Sequence, residues 1–228
     1  DFQIKYLFYM LFDSHFHLPR LPQPKTLLQE LLKINYHGES SACFPNEWEF
    51  QISLLKNISN FSQCLGVHPE IASKISPRDM EHLKEILLKN PEIAIGECGL
   101  DKRFDGYGPP GIQEKIFITQ LQLACELDRK VVIHCVGNYF RLIKILKNYL
   151  PQNHPVYFHR YAGNSEITEQ ALYFNATFGN PRHKNEIPCE RICFETDADE
   201  HFCQPKQSSA EIAYILKKYL EDLVKNQT

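Results

Sequence analysis

The sequence carries no surplus of positive charge. Its 25 Lys and Arg face 28 Asp and Glu, for a formal charge of −3 and a pI of about 6.4. No global basic field therefore holds nucleic acid non-specifically, and any such contact must come from a local patch. Long apolar runs are missing as well: nothing approaches the roughly 18 to 20 residues that span a bilayer, so a soluble protein with no membrane partner is expected. No strand leads into a glycine-rich phosphate loop, which argues against a Rossmann or P-loop nucleotide site. There is no internal repeat and no low-complexity tract. The eight cysteines are scattered, without a zinc-finger pair of Cys-x-x-Cys motifs, in a chain too long to need disulfide staples. They are expected to be reduced, small apolar residues, and a cytoplasmic home follows.

What remains is an ordinary globular composition, 43% hydrophobic and 23% charged over 228 residues. Residues 1–228 read as a single domain. Met10 stands where a natural start could fall, so residues 1–9 read as an N-terminal extension.

Along the chain, short apolar strands alternate with helical stripes. The run Tyr6 to Phe12 reads as a first strand leading into Asp13-Ser14-His15-Phe16-His17. A helix follows over Thr26 to Leu32, stopped by Asn35-Tyr36-His37-Gly38, then a strand over Ser41 to Phe44 and a helix over Trp48 to Ile58. Phe61 to Val67 forms the third strand, with His68-Pro69-Glu70 in the loop after it. Ser76 caps a helix that buries Met80, Leu83, Ile86 and Leu87. Ile93 to Gly96 is a fourth strand delivering Glu97 at its carboxyl end. The loop Lys102 to Gly111 leads into a helix with its stripe at Ile112, Ile116, Leu123, Ala124 and Leu127. Val131 to Ile133 ends in His134. Helix Tyr139 to Tyr149 precedes the strand Val156 to Phe158, which ends in His159. Leu172 to Thr177 and Ile192 to Thr196 supply the last two strands, the latter delivering Asp197. Ser208 to Glu211 forms a capping box before a final amphipathic helix.

Eight strand-then-helix units with no boundary linker predict an α/β fold of the TIM-type (β/α)8 barrel class, slightly shortened, with a doubly wound open sheet as the alternative. A barrel gathers its functional groups at the carboxyl ends of its strands. His15, His17, His68, Glu97, His134, His159 and Asp197 all fall there. A lone histidine or aspartate at a strand end is more often a hydrogen-bonded structural residue. So many together instead point to a divalent metal centre, where imidazoles and carboxylates suit a borderline or hard ion. Glu195 shares a strand face with Asp197 and is expected to pair with a basic group rather than to ligate.

The strings His15-Phe16-His17, Gly66-Val67-His68-Pro69, Ile95-Gly96-Glu97-Cys98-Gly99-Leu100-Asp101, His134-Cys135, His159-Arg160-Tyr161-Ala162-Gly163 and Glu195-Thr196-Asp197 resemble those of the TatD-type metal-dependent hydrolases of the amidohydrolase superfamily. The resemblance runs from about Leu11 to Asp197. It implies one or two divalent ions, Zn, Mg or Mn. His15, His17 and Asp197 would hold one ion, Glu97 would bridge, and His134 and His159 would hold the second. Asp197, with Glu97, would carry the catalysis by orienting or deprotonating the attacking water. His68 would touch substrate at the pocket edge, although a capping or packing role fits it equally.

Two departures bear on substrate. Members of that family typically carry Arg two residues after the fifth-strand histidine, where this chain has Val136. Lys102, Arg103 and Arg160 are the neighbouring cations that could replace it, and Arg103 and Arg160 are taken as substrate-binding candidates. After Asp197, Asp199 and Glu200 add acids that should repel a polyanion. The resemblance implies hydrolysis of phosphodiester bonds at DNA ends, and a monomer is expected. The alternatives are hydrolysis of a small ester, amide or phosphomonoester, and a degenerate barrel that binds without turnover. A histidinol-phosphatase-like barrel would share the His-x-His, but the Gly-Glu-x-Gly-Leu-Asp string argues against it.

Overall fold

A computed structural model describes residues 11–225. Its elements run β1 (Phe12–Phe16), α1 (Pro24–Lys33), β2 (His37–Ala42), α2 (Pro45–Leu55), β3 (Phe61–Leu65), α3 (Pro77–Lys89), β4 (Ala94–Asp101) and α4 (Ile112–Leu127). They continue β5 (Val131–Val136), α5 (Tyr139–Tyr149), β6 (Pro155–Phe158), α6 (Ser165–Ala171), β7 (Asn175–Gly179), β8 (Ile192–Cys193) and α7 (Ser209–Lys225). The strands pair in sequential order, every pair parallel. Backbone bonds join the last strand region to the first: Ser14 N donates to Phe194 O at 2.8 Å, Asp197 N to His15 O at 2.9 Å and His17 N to Ala198 O at 2.8 Å. The sheet is thus a TIM-type barrel, and the doubly wound alternative falls, since an open sheet would leave β1 and β8 apart.

Sequence and structure differ where the apolar pattern misleads. The first-strand run lies, up to Met10, outside the described residues, and β1 itself contains His15. β2 begins at His37, inside the expected stop, because its interior is polar: Glu39 pairs with Lys130, and Ser40 Oγ donates to Gln51 Oε1 at 2.6 Å. α2 starts at Pro45, where Glu47 accepts the Cys43 and Phe44 amides at 3.0 and 3.3 Å. β4 runs on to Asp101, so Glu97 sits inside a fully buried strand rather than at its end. α6 is capped by Asn164 Oδ1, which accepts the Ile167 amide at 3.0 Å. It occupies a stretch with no apolar stripe long enough to read, and it moves β7 two to three residues downstream of the expected strand. Between β7 and β8 the connection holds only a 3₁₀ turn, Cys189–Arg191. This is where the barrel is shortened.

Capping chemistry set other boundaries as expected. Ser76 and Asp79 form a box at the start of α3, and Glu211 Oε2 accepts the Ser208 amide at 2.7 Å before α7. α1 and α7 bury Leu27, Leu31, Leu216 and Leu220 together with Phe16 of β1, while a larger cluster spans β3 to β7 and the helices outside them. None of the eight cysteines is disulfide-bonded. Among the described residues no helix is long and apolar enough to cross a membrane.

Candidate metal centre

β4 approaches β5 too closely for side chains on both sides of Glu97. Gly96 and Gly99 hold φ of 141° and 151°, and a Cβ at Gly99 would lie 1.9 Å from the His134 carbonyl oxygen. The strand thereby sets Glu97 between the histidines of β1 and those of β5 and β6. Its two oxygens divide between them. Oε1 lies 2.5 Å from His134 Nδ1 and 2.7 Å from His159 Nε2, while Oε2 lies 3.4 Å from His15 Nε2 and 3.6 Å from His17 Nε2. Asp197 Oδ1 stands 3.5 Å from His17 Nε2, 3.9 Å from His15 Nε2 and 3.7 Å from His159 Nδ1. Asp197 reaches inward from a left-handed backbone with φ of 52°, a conformation that aspartate tolerates better than most residues.

The structure therefore brings His15, His17, Glu97, His134, His159 and Asp197 to one place. His68 joins them: its Nδ1 accepts the Glu70 amide at 3.2 Å, capping the turn Pro69–Lys74, and its Nε2 lies 3.3 Å from His134 Nδ1. The cap anticipated for it is present alongside its place at the centre. Arg103 is engaged with Asp101, its Nε 3.0 and 2.9 Å from the two carboxylate oxygens. Arg160 Nη1 donates to Asp197 Oδ2 at 2.9 Å. Glu200 accepts from Arg20 at 2.5 Å, so its charge is partnered away from the centre. Glu195 meets a basic group as expected, His159 Nδ1 at 4.0 Å from its Oε1, and it also accepts the Tyr157 hydroxyl and, at 2.5 Å, the Arg160 amide. Burial then pushes its carboxyl up to about 7.

Three contributors escaped the sequence reading. Asp101 Oδ2 lies 2.8 Å from His134 Nε2, a carboxylate–imidazole pair that fixes which ring nitrogen faces Glu97. Asp13 accepts the Thr196 amide at 2.8 Å, the Thr196 hydroxyl at 2.6 Å and the Tyr36 hydroxyl at 2.6 Å, tying β1 to the segment that carries Asp197. Cys43 Sγ stands 3.6 Å from Glu97 Oε2. Asp101 and Asp13 lay inside strings noted for other residues, whereas nothing about Cys43 marked it.

The donor set suits a cation. Both ring nitrogens of His15 and Nδ1 of His159 are buried without a hydrogen-bond partner, an arrangement that is costly unless something else fills it. The groups His15–His17–Asp197, His15–Glu97–His159 and His68–Glu97–His134 each gather ligand atoms within 4.8 Å of one another. Charge is balanced to match. Burial alone would raise the Glu97 carboxyl, but His159 and His134 outweigh it and hold it well below its usual range. Asp197 is likewise held down by His159 and His17 against the effect of burial. Burial opposes the proton on His159, yet Glu97 and Asp197 raise it to about 9. Burial depresses His15, and pushes His68 to about 3.

The family model described as TatD related DNase matches residues 12–226. The chain belongs to the TatD family. Among similar proteins, the human "3'-5' RNA nuclease TATDN2" is 29% identical over 82% of this TatD-family chain and 28% of its own length. The "uncharacterized metal-dependent hydrolase YabD" of Bacillus subtilis is 28% identical over 82% of this chain and 80% of its own. The crystal structure of YjjV, a TatD homologue from Escherichia coli K12, superimposes with a TM-score of 0.72 at 21% identity, covering 94% of this chain and 91% of that one. The chain spans well under two thirds of several curated relatives, from 28% of the human protein to 59% of a bacterial TatD exonuclease.

Proposed function

We propose that this TatD-family chain is a divalent-metal-dependent hydrolase that cleaves phosphodiester bonds at nucleic-acid ends, DNA among them. The observation that carries this reading is the divided Glu97 carboxylate, with one oxygen facing His134 and His159 and the other facing His15 and His17. A carboxylate so placed is suited to bridging two ions. On this reading His15, His17 and Asp197 hold one ion and His134 and His159 the other, with Glu97 shared. The relatives named as RNA nuclease and metal-dependent hydrolase support the same chemistry.

Bound ions would polarise the phosphoryl oxygens and bring the pKa of an attacking water towards neutrality. The chain's own groups do the rest. Asp197 keeps a charged carboxylate at the rim, so Oδ1 is the acceptor that orients the water and takes its proton. Arg160, 68% exposed on its side chain, reaches across Asp197 Oδ2 and presents its outer nitrogens to a phosphate. His68, neutral because burial depresses it, donates rather than carries charge at the opposite edge. Arg103, held by Asp101, supplies positive potential from a fixed position.

The test is release of nucleotides from the 3′ ends of single-stranded DNA and RNA in Mg²⁺, Mn²⁺ or Zn²⁺, with chelator as the control. Metal-dependent shortening is expected. A folded, metal-loaded protein that leaves both polymers intact under all three metals would sink the nuclease assignment.

A further inference from the structure

Beside Asp197 lies a cleft of about 500 Å³, within the roughly 300–1,000 Å³ usual for small-ligand sites. Beyond Asp197 it is lined by Arg160, Asn180 and Arg182, after β6 and β7, and by Phe202 and Tyr219, after β8 and on α7. Asn180 is a strut. Its Nδ2 donates to the Glu195 carbonyl at 2.7 Å, continuing the β7–β8 ladder with a side chain. The two arginines differ. Arg160 is committed to Asp197, whereas Arg182, anchored by its amide to the Tyr161 carbonyl at 3.1 Å, pairs with no carboxylate among the described residues. Phe202 and Tyr219 meet edge to face, centroids 5.6 Å apart at 84°. Phe202 is seated on the core cluster under α7, and Tyr219 is 44% exposed.

The charge count defines the ligand. Asp199 also reaches the cleft, so two carboxylates stand against two arginines, and a run of phosphates gains little there. One phosphate attached to one flat, uncharged ring system gains from both sides, because a guanidinium beside aromatic faces is how single strands are held without reading sequence. A duplex end cannot lay one base against Tyr219 without opening its last pair. Resting on the nucleic-acid reading of the metal centre, we propose that this cleft is the subsite for one unpaired nucleotide next to the cleaved linkage. Arg182 holds its phosphate and the Phe202–Tyr219 pair stacks its base.

The probe is a short single-stranded oligodeoxynucleotide with phosphorothioate terminal linkages and 2-aminopurine as its terminal base, titrated into the metal-loaded protein. Binding is followed by anisotropy and stacking by quenching of the 2-aminopurine. Wild type is expected to quench, and replacing the terminal base by an abasic site is expected to weaken binding about tenfold, the loss of one stacked base. Tyr219→Leu and Phe202→Leu keep apolar bulk but lose the quenching and bind about tenfold more weakly, with no further loss on the abasic probe. Arg182→Gln, on an exposed side chain, weakens both probes alike. Equal binding of base-bearing and abasic ends by wild type, wild-type quenching in both aromatic variants, or failure to bind the oligonucleotide at all would overturn the proposal. A protein that binds and quenches but never shortens DNA would retire the nuclease reading and leave the cleft standing. One that shortens DNA while the variants bind unchanged would retire the cleft alone.

Discussion

His134 Nε2 stands 2.8 Å from Oδ2 of Asp101, a carboxylate that is itself fully buried and held at both oxygens by Arg103 Nε. With Nε2 committed to Asp101, Nδ1 is the ring nitrogen that faces Glu97 Oε1 at 2.5 Å. Asp101 therefore positions a ligand without touching the centre. Asp101→Asn is expected to keep the fold and weaken metal affinity by about 10–100-fold, read as a dissociation constant by chelator competition. Affinity equal to wild type would mean that His134 holds its orientation unaided.

The two carboxylates of the centre should separate by metal content. Glu97→Ala removes the group shared by both histidine sets and is expected to drop bound metal and turnover together. Asp197→Asn keeps the shape and is expected to lower turnover by about 10²-fold or more, at wild-type circular dichroism. Wild-type turnover in either variant would refute its role.

Metal loading should release protons. In the metal-free protein Glu97 and Asp197 raise His159 from 6.5 to about 9 against the effect of burial, and His134 is raised as well. His159 holds its proton at pH 7, and an imidazole must give up its proton before that nitrogen ligates. Affinity should climb with pH up to about 9 and level off above it. The sign for the metal-free fold is opposite. A raised folded-state value stabilises fully below 6.5, and the stabilisation is lost as pH rises through about 9. Calorimetry of loading in buffers of different protonation enthalpy measures the release directly, and no release between pH 6.5 and 9 would contradict it.

Gly99→Ala should fail through the backbone. Its Cβ would lie 1.9 Å from the His134 carbonyl oxygen, at a φ of 151° that side chains avoid. The expected loss is about 2–3 kcal/mol or more in urea unfolding, with reduced metal content because β4 and β5 must part. A midpoint within error of wild type would show that the strands can yield there.

How much was legible depended on what kind of force set each feature. Strand and helix alternation, the Ser76 and Ser208 caps and the apolar stripes of α3, α4 and α7 were readable because they are local: period, propensity and capping act within a few residues. The histidines and acids that share the centre were readable by type and by their recurrence in or just after successive strands, since a barrel sends such residues to one face, although β4 and β5 run on past Glu97 and His134. The extent of β2 was not, because its buried Glu39 and Ser40 find partners outside the strand, on Lys130 and Gln51. The short α6 was not, since its cap is legible but its face is too brief to show a period.

By itself the sequence determined that eight strands would alternate with helices, in a barrel or an open sheet, and that five imidazoles and two carboxylates would gather on one side of it. Only the tertiary structure decided how they divide. Which oxygen of Glu97 faces which histidine, that Asp101 orients His134, that Arg182 meets no carboxylate among the described residues, and that Phe202 meets Tyr219 all depend on distances between segments remote in the chain. Barrel closure and the glycine-permitted contact of β4 with β5 fix those distances, and no local pattern encodes them.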